Sequence, residues 1–450
     1  MSTPTKNNLN HRPIFQVLPS SILLTLSVGA MLLVTPLHAV KVGPQARPTK
    51  PTMVDVEEQP KFLKTRMDIP SLRLAIPVLD PGIPISTEEQ QTEGIWPELR
   101  QAEAVLAASK LKEWVHRFNQ FDEIVISADS SVSADLYLLG RIEKSDGETM
   151  KLAYQIVDAR GKNWTSERIK SHRVEPGWHE RYGKTERDPF DELYYEIAED
   201  LYEELKDRGK SHVNQMEYNE RRGTKSARMS ELEQITTVRK LAFAGYISLS
   251  KYGDFLTISD GRYKIVKAPS EESQDWVRME SIMRRDKEFI GVIDSYYEGY
   301  VDQLAKDYKQ WQHDSFPVAR EVRIAKRNRN LKSIAGAALL IASAAALKDG
   351  AAAKGDGSAE LGVQVGAAAS GALLLGAFRD NQLRKQASEE INELGKSMHN
   401  SIRPTRIDLD GKVVTLTGTV HEQYQEWSSL LLDLYNSVEN DPDAVQILEE

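Results

Sequence analysis

Cysteine is absent from this chain of 450 residues. That absence alone excludes disulfides, thiolate metal sites, cysteine nucleophiles and a lipid-modified amino-terminal cysteine. Export stays open, because an oxidising compartment permits bridges without demanding them. A surplus of positive charge is missing too: 58 basic against 67 acidic residues leave a net charge of −9, so no global basic field points to nucleic acid. The 9 histidines show no HExxH and no zinc-like spacing, so no metal or cofactor is expected. The two GKS triplets, at Gly209 and Gly395, carry Glu204 and Glu390 where a phosphate loop needs glycine; both read as helix ends. No G-x-S-x-G elbow occurs. "WHERY" around His179 reads as an exposed structural histidine in a charged loop, and carboxylate runs such as "EDLYEEL" read as solvated helix faces. No catalytic residue stands out, and an enzyme is not expected.

A long apolar run is missing from the amino terminus as well. Lys6, His11 and Arg12 precede Ser20–Val34, about 15 apolar residues where ~20 would span a bilayer. With small Ala39 closing the segment, residues 1–39 read as an export signal, which places the mature chain in a bacterial envelope. Residues 40–66, rich in proline and charge, read as a flexible spacer.

From Leu72 the pattern is that of an α/β domain, assigned to residues 67–209. "LRLAIPVLD" and "DEIVISA" read as strands, and Leu99, Ala102, Val105, Leu106, Leu111, Trp114 and Val115 recur at helical spacing between them. Asp146-Gly147 marks a hairpin turn, with a further strand after Arg160-Gly161. Phe190, Leu193, Ile197, Leu201 and Leu205 define a closing helix that Gly209 is expected to stop. "LAIPVLD", the helix before "FDEIVISA", "ADLYLLGRI" and "YQIVDARGKNW" together resemble the amino-terminal domain of TolB and the periplasmic domain of CsgG-type secretion channels, over about residues 70–206. That resemblance implies a non-catalytic envelope module that binds partners or builds rings. Two departures qualify it. CsgG-type proteins are lipidated on a cysteine, and they cross the outer membrane on long β-hairpins. The nearest hairpin here, "FLTISDGRYKIV", has arms of about five residues where a membrane strand needs ~9–11.

Residues 210–229 read as a linker, and 230–330 as a helical stalk carrying that small β-hairpin. After a capping-box-like region at Ser270, a stripe of Ile282, Phe289, Val292, Ile293, Tyr296, Tyr300, Leu304 and Tyr308 holds one long helix. Residues 331–378 then stand apart from a chain that is 28% charged. Two Ala/Gly-rich apolar helices flank the turn "KDGAAAKGDGS", apolar on every side. Gly336, Gly362, Gly366, Gly371 and Gly376 permit close helix packing. Arg320, Arg323, Lys326, Arg327, Arg329 and Lys332 precede the hairpin, and Arg379, Arg384 and Lys385 follow it, so both feet lie on one side of a barrier. Glu360 and Gln364 count against spanning and leave open a hairpin buried in a soluble bundle.

Residues 379–450 read as an αββα unit. "IDLDGKVVTLTGTV" resembles the strand pair of the BON domain, an envelope module of membrane surfaces and secretin rings. The expectation is an α+β multi-domain envelope protein, the structural subunit of a homo-oligomeric ring or pore at the outer membrane. Its partners would be copies of itself, membrane lipid and other envelope proteins, without nucleic acid. The competing class is a soluble periplasmic binding or scaffolding protein.

Overall fold

The computed structural model describes residues 64–223, 227–328, 405–409 and 412–439. The expected signal, nearly all of the spacer, the hairpin 331–378 with Gly336, Gly362, Gly366, Gly371 and Gly376, and the helix expected over 387–402 lie outside the described residues. The rest is an α+β fold around a five-stranded mixed sheet. Its strands are β1 (Arg73–Pro77), β2 (Glu123–Ser127), β3 (Leu136–Ser145), β4 (Thr149–Asp158) and β5 (Arg168–Arg173), in the order β2-β1-β3-β4-β5. β1 runs parallel to both β2 and β3, and β3, β4 and β5 are antiparallel. The parallel β1–β2 pair requires a crossover. α1 (Thr87–Glu93) and α2 (Pro97–Arg117) supply it, with Pro97 at the first helical position, where its missing N–H is harmless. The turn at Asp146-Gly147 forms as its sequence indicates: Gly147 has φ 82°, and Asp146 Oδ1 accepts from the Glu148 and Thr149 amides.

The strand register sorts the side chains onto two faces. Leu74, Ile76, Ile126, Leu136, Leu138, Leu152 and Ile156 share the face that meets α2 and α4 (Asp191–Arg222), and all are fully buried. The helical stripe read on α2 is buried throughout, as is the one on α4. α4 runs on to Arg222 without stopping at Gly209, so residues 210–222 are helix and the expected linker shrinks to a short connection. Gly209 is an approach site: a Cβ there would lie 3.2 Å from Ile69 Cγ2 and 3.2 Å from Met67 Sδ, where the incoming chain crosses the helix. The first GKS triplet is therefore mid-helix.

The short α3 (Trp178–Tyr182) precedes α4. α5 (Glu231–Ile247) opens with a reciprocal capping box between Ser230 and Glu233 and stops at Ser248, where a single turn, α6 (Leu249–Tyr252), takes over. The hairpin of β6 (Leu256–Ser259) and β7 (Arg262–Ile265) has four-residue arms and turns through Asp260 and Gly261, both at positive φ.

α7 (Gln274–Asn328) is 55 residues long and passes through Pro317, well beyond the length the apolar stripe indicated. Its start is capped by Ser273, whose Oγ accepts from the Trp276 amide at 3.3 Å, rather than by Ser270. α7 is not a free stalk. Trp276, Met279, Ile282, Phe289, Ile290, Ile293, Tyr297, Tyr300, Leu304, Tyr308, Trp311 and Phe316 are buried, whereas Val292, counted in the stripe, is exposed. At roughly 1.5–3 kcal/mol per buried large side chain, tertiary packing rather than helix propensity holds this helix. Its first third lies with α5 and α8 (Val420–Glu439). At its middle, Asp294 Oδ1 accepts the Ile126 amide of edge strand β2 at 2.8 Å while Lys112 of α2 holds the other oxygen, which closes that edge. Its last third runs beside α2 to the β3–β4 turn, where Arg323 Nε meets Glu148 at 2.7 Å.

β8 (Thr405–Leu409) and β9 (Lys412–Leu416) pair antiparallel, as expected of the strand pair. α8 then packs on α7: Trp427 stacks on Phe289 at 4.8 Å and Tyr424 lies 6.3 Å from the same ring. Of the α8 stripe, Tyr424, Trp427, Leu431 and Tyr435 are buried. Among the described residues no helix is long and apolar enough to cross a membrane.

Candidate functional site

The second face of the sheet carries Arg73, Glu123 and Tyr137 where α5, α7 and α8 cover it. A charged residue inside an apolar strand such as "RLAIP" must be paired to be buried. Arg73 is 8% exposed. Its Nε donates to Glu123 at 2.6 Å, its Nη1 to the Ser133 carbonyl at 3.0 Å, and its backbone amide to Asp135 at 2.7 Å. Asp135 also takes Arg239 Nε from α5 at 2.7 Å. Two strands, the loop before β3 and α5 are thus tied by two carboxylates. Arg73 Nη2 is buried without a hydrogen-bond partner among the described residues.

In front of this node lies a cleft of about 280 Å³, lined by Ser71, Leu72, Arg73, Asp122, Glu123, Asp135, Arg239, Lys240, Glu280, Met283, Arg284 and Lys287. It opens at the start of the parallel strands, the opposite end from where open α/β sheets usually hold ligands. Behind Arg73, Asp286 of α7 is 2% exposed and accepts from Tyr424 Oη of α8 at 3.4 Å. Burial pushes its carboxyl up to about 6, against the opposing pull of Arg73. The node therefore joins the carboxy-terminal helix to the sheet.

Two further polar clusters invite a chemical reading. Asp188 and Asp191 sit together, and burial plus the neighbouring Asp191 raises Asp188 to about 6; burial raises Asp191 as well. Paired carboxylates with raised affinity for protons suit acid–base work. Here both are engaged in the turn that leads into α4: Asp188 Oδ1 accepts the Phe190 amide at 2.8 Å, Asp191 Oδ2 accepts the Asp188 amide at 2.9 Å, and Trp114 and Gln312 hold the remaining oxygens. Deeper in, burial raises Glu103 although Arg100, Ser145 and Tyr308 favour its charged form.

His179 is half-buried, not exposed as its charged surroundings suggested. Its ring packs edge-on against His313 at 5.4 Å and against Phe316 at 5.1 Å. Burial and the facing His313 lower it to about 4, so it stays neutral at physiological pH. Among the described residues, no three His, Asp or Glu side chains come together to hold a metal ion.

Reasoning from spacing missed the Arg73 node, since its members are scattered over more than 200 positions. One signal was available: Arg73 in an apolar strand and Asp286 on the buried side of α7, between Ile282 and Phe289, are charges at core-facing positions. The glycines expected to pack the hairpin lie outside the described residues, so none is brought to this site. No family model, curated protein or solved structure matches the chain.

Proposed function

We propose that this chain is a non-catalytic structural subunit of a bacterial envelope assembly, in which residues 331–378 enter the outer membrane as a helical hairpin and copies associate into a ring or pore. The observation that carries the reading is that the described elements before and after this segment in the chain dock on one folded body. Before it, the last third of α7 is fastened to the β3–β4 turn through Arg323–Glu148. After it, α8 is fastened to the first third of α7 and to α5. A pore subunit needs its membrane segment to lie, in the chain, between elements that dock on one folded body, and α7 and α8 meet that need. The resemblance of residues 70–206 to TolB and CsgG-type domains, and of the β8–β9 pair to the BON domain, supports the same setting. In this reading the basic feet of the hairpin stay on the periplasmic side, and Gly362, Gly366, Gly371 and Gly376 let its helices, or those of neighbours, approach closely.

Fractionation tests it directly. Membrane recovery that survives carbonate washing, with rings visible by electron microscopy after detergent purification, is the expected result. Replacing Gly366 and Gly371 with Leu is expected to break the oligomers seen by native mass spectrometry. A freely soluble monomer released by carbonate would overturn the proposal in favour of a periplasmic scaffold whose hairpin is buried in protein.

A further inference from the structure

The cleft in front of Arg73 has more positive charge than its own carboxylates neutralise. Five cations line it (Arg73, Arg239, Lys240, Arg284 and Lys287) with four carboxylates (Asp122, Glu123, Asp135 and Glu280). Asp122 is taken by a sixth cation, Arg66, from outside the lining. Lys240 reaches Glu280 at 3.1 Å, and Glu123 is shared by Arg73 at 2.6 Å and Lys287 at 3.5 Å. With Arg66 and the Asp286 carboxyl behind Arg73 both counted, six cations face five carboxylates, which leaves one positive charge over at the cleft.

Two arginines carry the free donors. Arg239 spends only Nε, on Asp135, so its two Nη groups have no partner among the described residues. Arg284 is exposed and has neither an ion pair nor a hydrogen bond among the described residues. The floor of the cleft holds Arg73, with its buried Nη2 also unpartnered. Guanidinium forks match the oxygens of a phosphate bidentately, and several free N–H donors at one place suit its three oxygens better than the two of a carboxylate. The volume of about 280 Å³ lies at the small end of ligand pockets, enough for a phosphate and a short organic stub.

We infer that this cleft, between the starts of β1 and β2 and the facing sides of α5 and α7, binds a phosphate group, with Arg239 and Arg284 as its principal donors and Lys287 beside them. The group belongs either to a free phosphate ester or to the headgroup of an anionic phospholipid; both present the same chemistry to these side chains. Binding here does not depend on the fate of residues 331–378, so it stands or falls apart from the pore reading.

The test uses the full-length protein in detergent. Glycerol 3-phosphate is titrated by calorimetry, and co-sedimentation is measured with phosphatidic acid vesicles against phosphatidylcholine vesicles. Arg284→Glu removes an exposed side chain with no partner and is expected to fold normally. It should weaken binding roughly tenfold or more, the loss of one charge-assisted contact, whereas Arg284→Lys should retain part of it. Lys306→Glu, an equal charge change at an exposed position farther along α7 and outside the cations that flank residues 331–378, is expected to leave binding unchanged. Glycerol 3-phosphate that binds and competes with the vesicles identifies a free ester as a sufficient ligand. Arg284-dependent sedimentation with phosphatidic acid that the ester does not displace identifies the lipid. Absence of both at millimolar ester, or equal weakening by Lys306→Glu and Arg284→Glu, would overturn the site.

Discussion

The clamp between α7 and the β3–β4 turn can be broken at one atom and repaired at another. Gly147 sits at φ 82°, and a Cβ built on it would lie 1.9 Å from Ser315 Oγ and 2.7 Å from Ser315 Cβ. Gly147→Ala therefore combines two penalties. Holding an L residue in the left-handed region costs about 1–2 kcal/mol, and overpacking a closed contact adds about 1–3 kcal/mol. The expected destabilisation is about 2–5 kcal/mol, read as a lower midpoint in urea unfolding followed by circular dichroism. Ser315→Gly alone should cost only about 0.5–1 kcal/mol, the usual effect of glycine inside a helix, plus its 3.2 Å hydrogen bond to the Gln312 carbonyl. In the double variant the overlap is gone, and the next atom met is the Phe316 amide nitrogen at 3.4 Å, an ordinary contact. The left-handed penalty remains, so the cycle should show a favourable coupling of about 1–3 kcal/mol. If the two single effects simply add, Ser315 is not against the turn and α7 does not end where the proposed function needs it.

Three other outcomes follow from the same structure. Asp286 has its pKa raised to about 6 by burial, above its unfolded value, so its ionisation opposes folding. Stability should fall as pH rises from about 4 to 6, and Asp286→Asn should remove that slope, leaving the variant the more stable above pH 6 by the order of 2 kcal/mol. Glu231 behaves oppositely: Lys162 and Arg160 hold its carboxyl down at about 2 against the cost of burial. Its contribution is complete above its unfolded pKa and is lost as pH falls from about 4.5 to 2; with its partial exposure it amounts to about 1 kcal/mol, visible as a shallower acid limb for Glu231→Gln. Phe289→Ala should leave a cavity beneath Trp427 and Tyr424 and cost about 3–5 kcal/mol, with faster hydrogen exchange confined first to α8. A uniform increase across the sheet would show that α8 is not an independently opening unit.

How much of this was legible in the sequence varies with the range of the interactions. The α2 and α4 stripes, the turns at Asp146-Gly147 and Asp260-Gly261, and the β8–β9 pairing are local: periodicity and turn chemistry fix them, and the structure has each in place. The extent of α4 was misread because Gly209 was weighed as a breaker. A glycine is also what a helix needs where another segment crosses it, and Met67 and Ile69 cross there. α7 was read as a stalk because its length and one stripe are all the sequence displays. The residues that hold it down, Asp294 on the Ile126 amide and Tyr308 on Glu103, depend on positions more than 150 residues away. The Arg73 node is hidden for the same reason. Salt-bridge partners carry no spacing rule once they lie on different elements, whereas a lone charge in an apolar strand does at least announce that a partner exists.

The path of α7 gives the proposed function its mechanical sense. A load applied at the carboxy-terminal end of this helix meets Arg323–Glu148 and the Ser315–Gly147 contact first, then Tyr308–Glu103, then the Asp294–Ile126 bond at the sheet edge. These are spread along roughly 45 Å of helix at 1.5 Å per residue, so no single contact has to bear it. A load arriving from the other side reaches α8, which rests on stacked aromatic rings and on the Asp286–Tyr424 contact. The two attachments differ in kind: a long distributed strap on one side, and a short aromatic patch over a titratable carboxyl on the other. Such an arrangement lets the carboxy-terminal unit open while α7 stays on the sheet. In an assembly that must place an apolar segment and then hold it, the fixed side is the one with the strap.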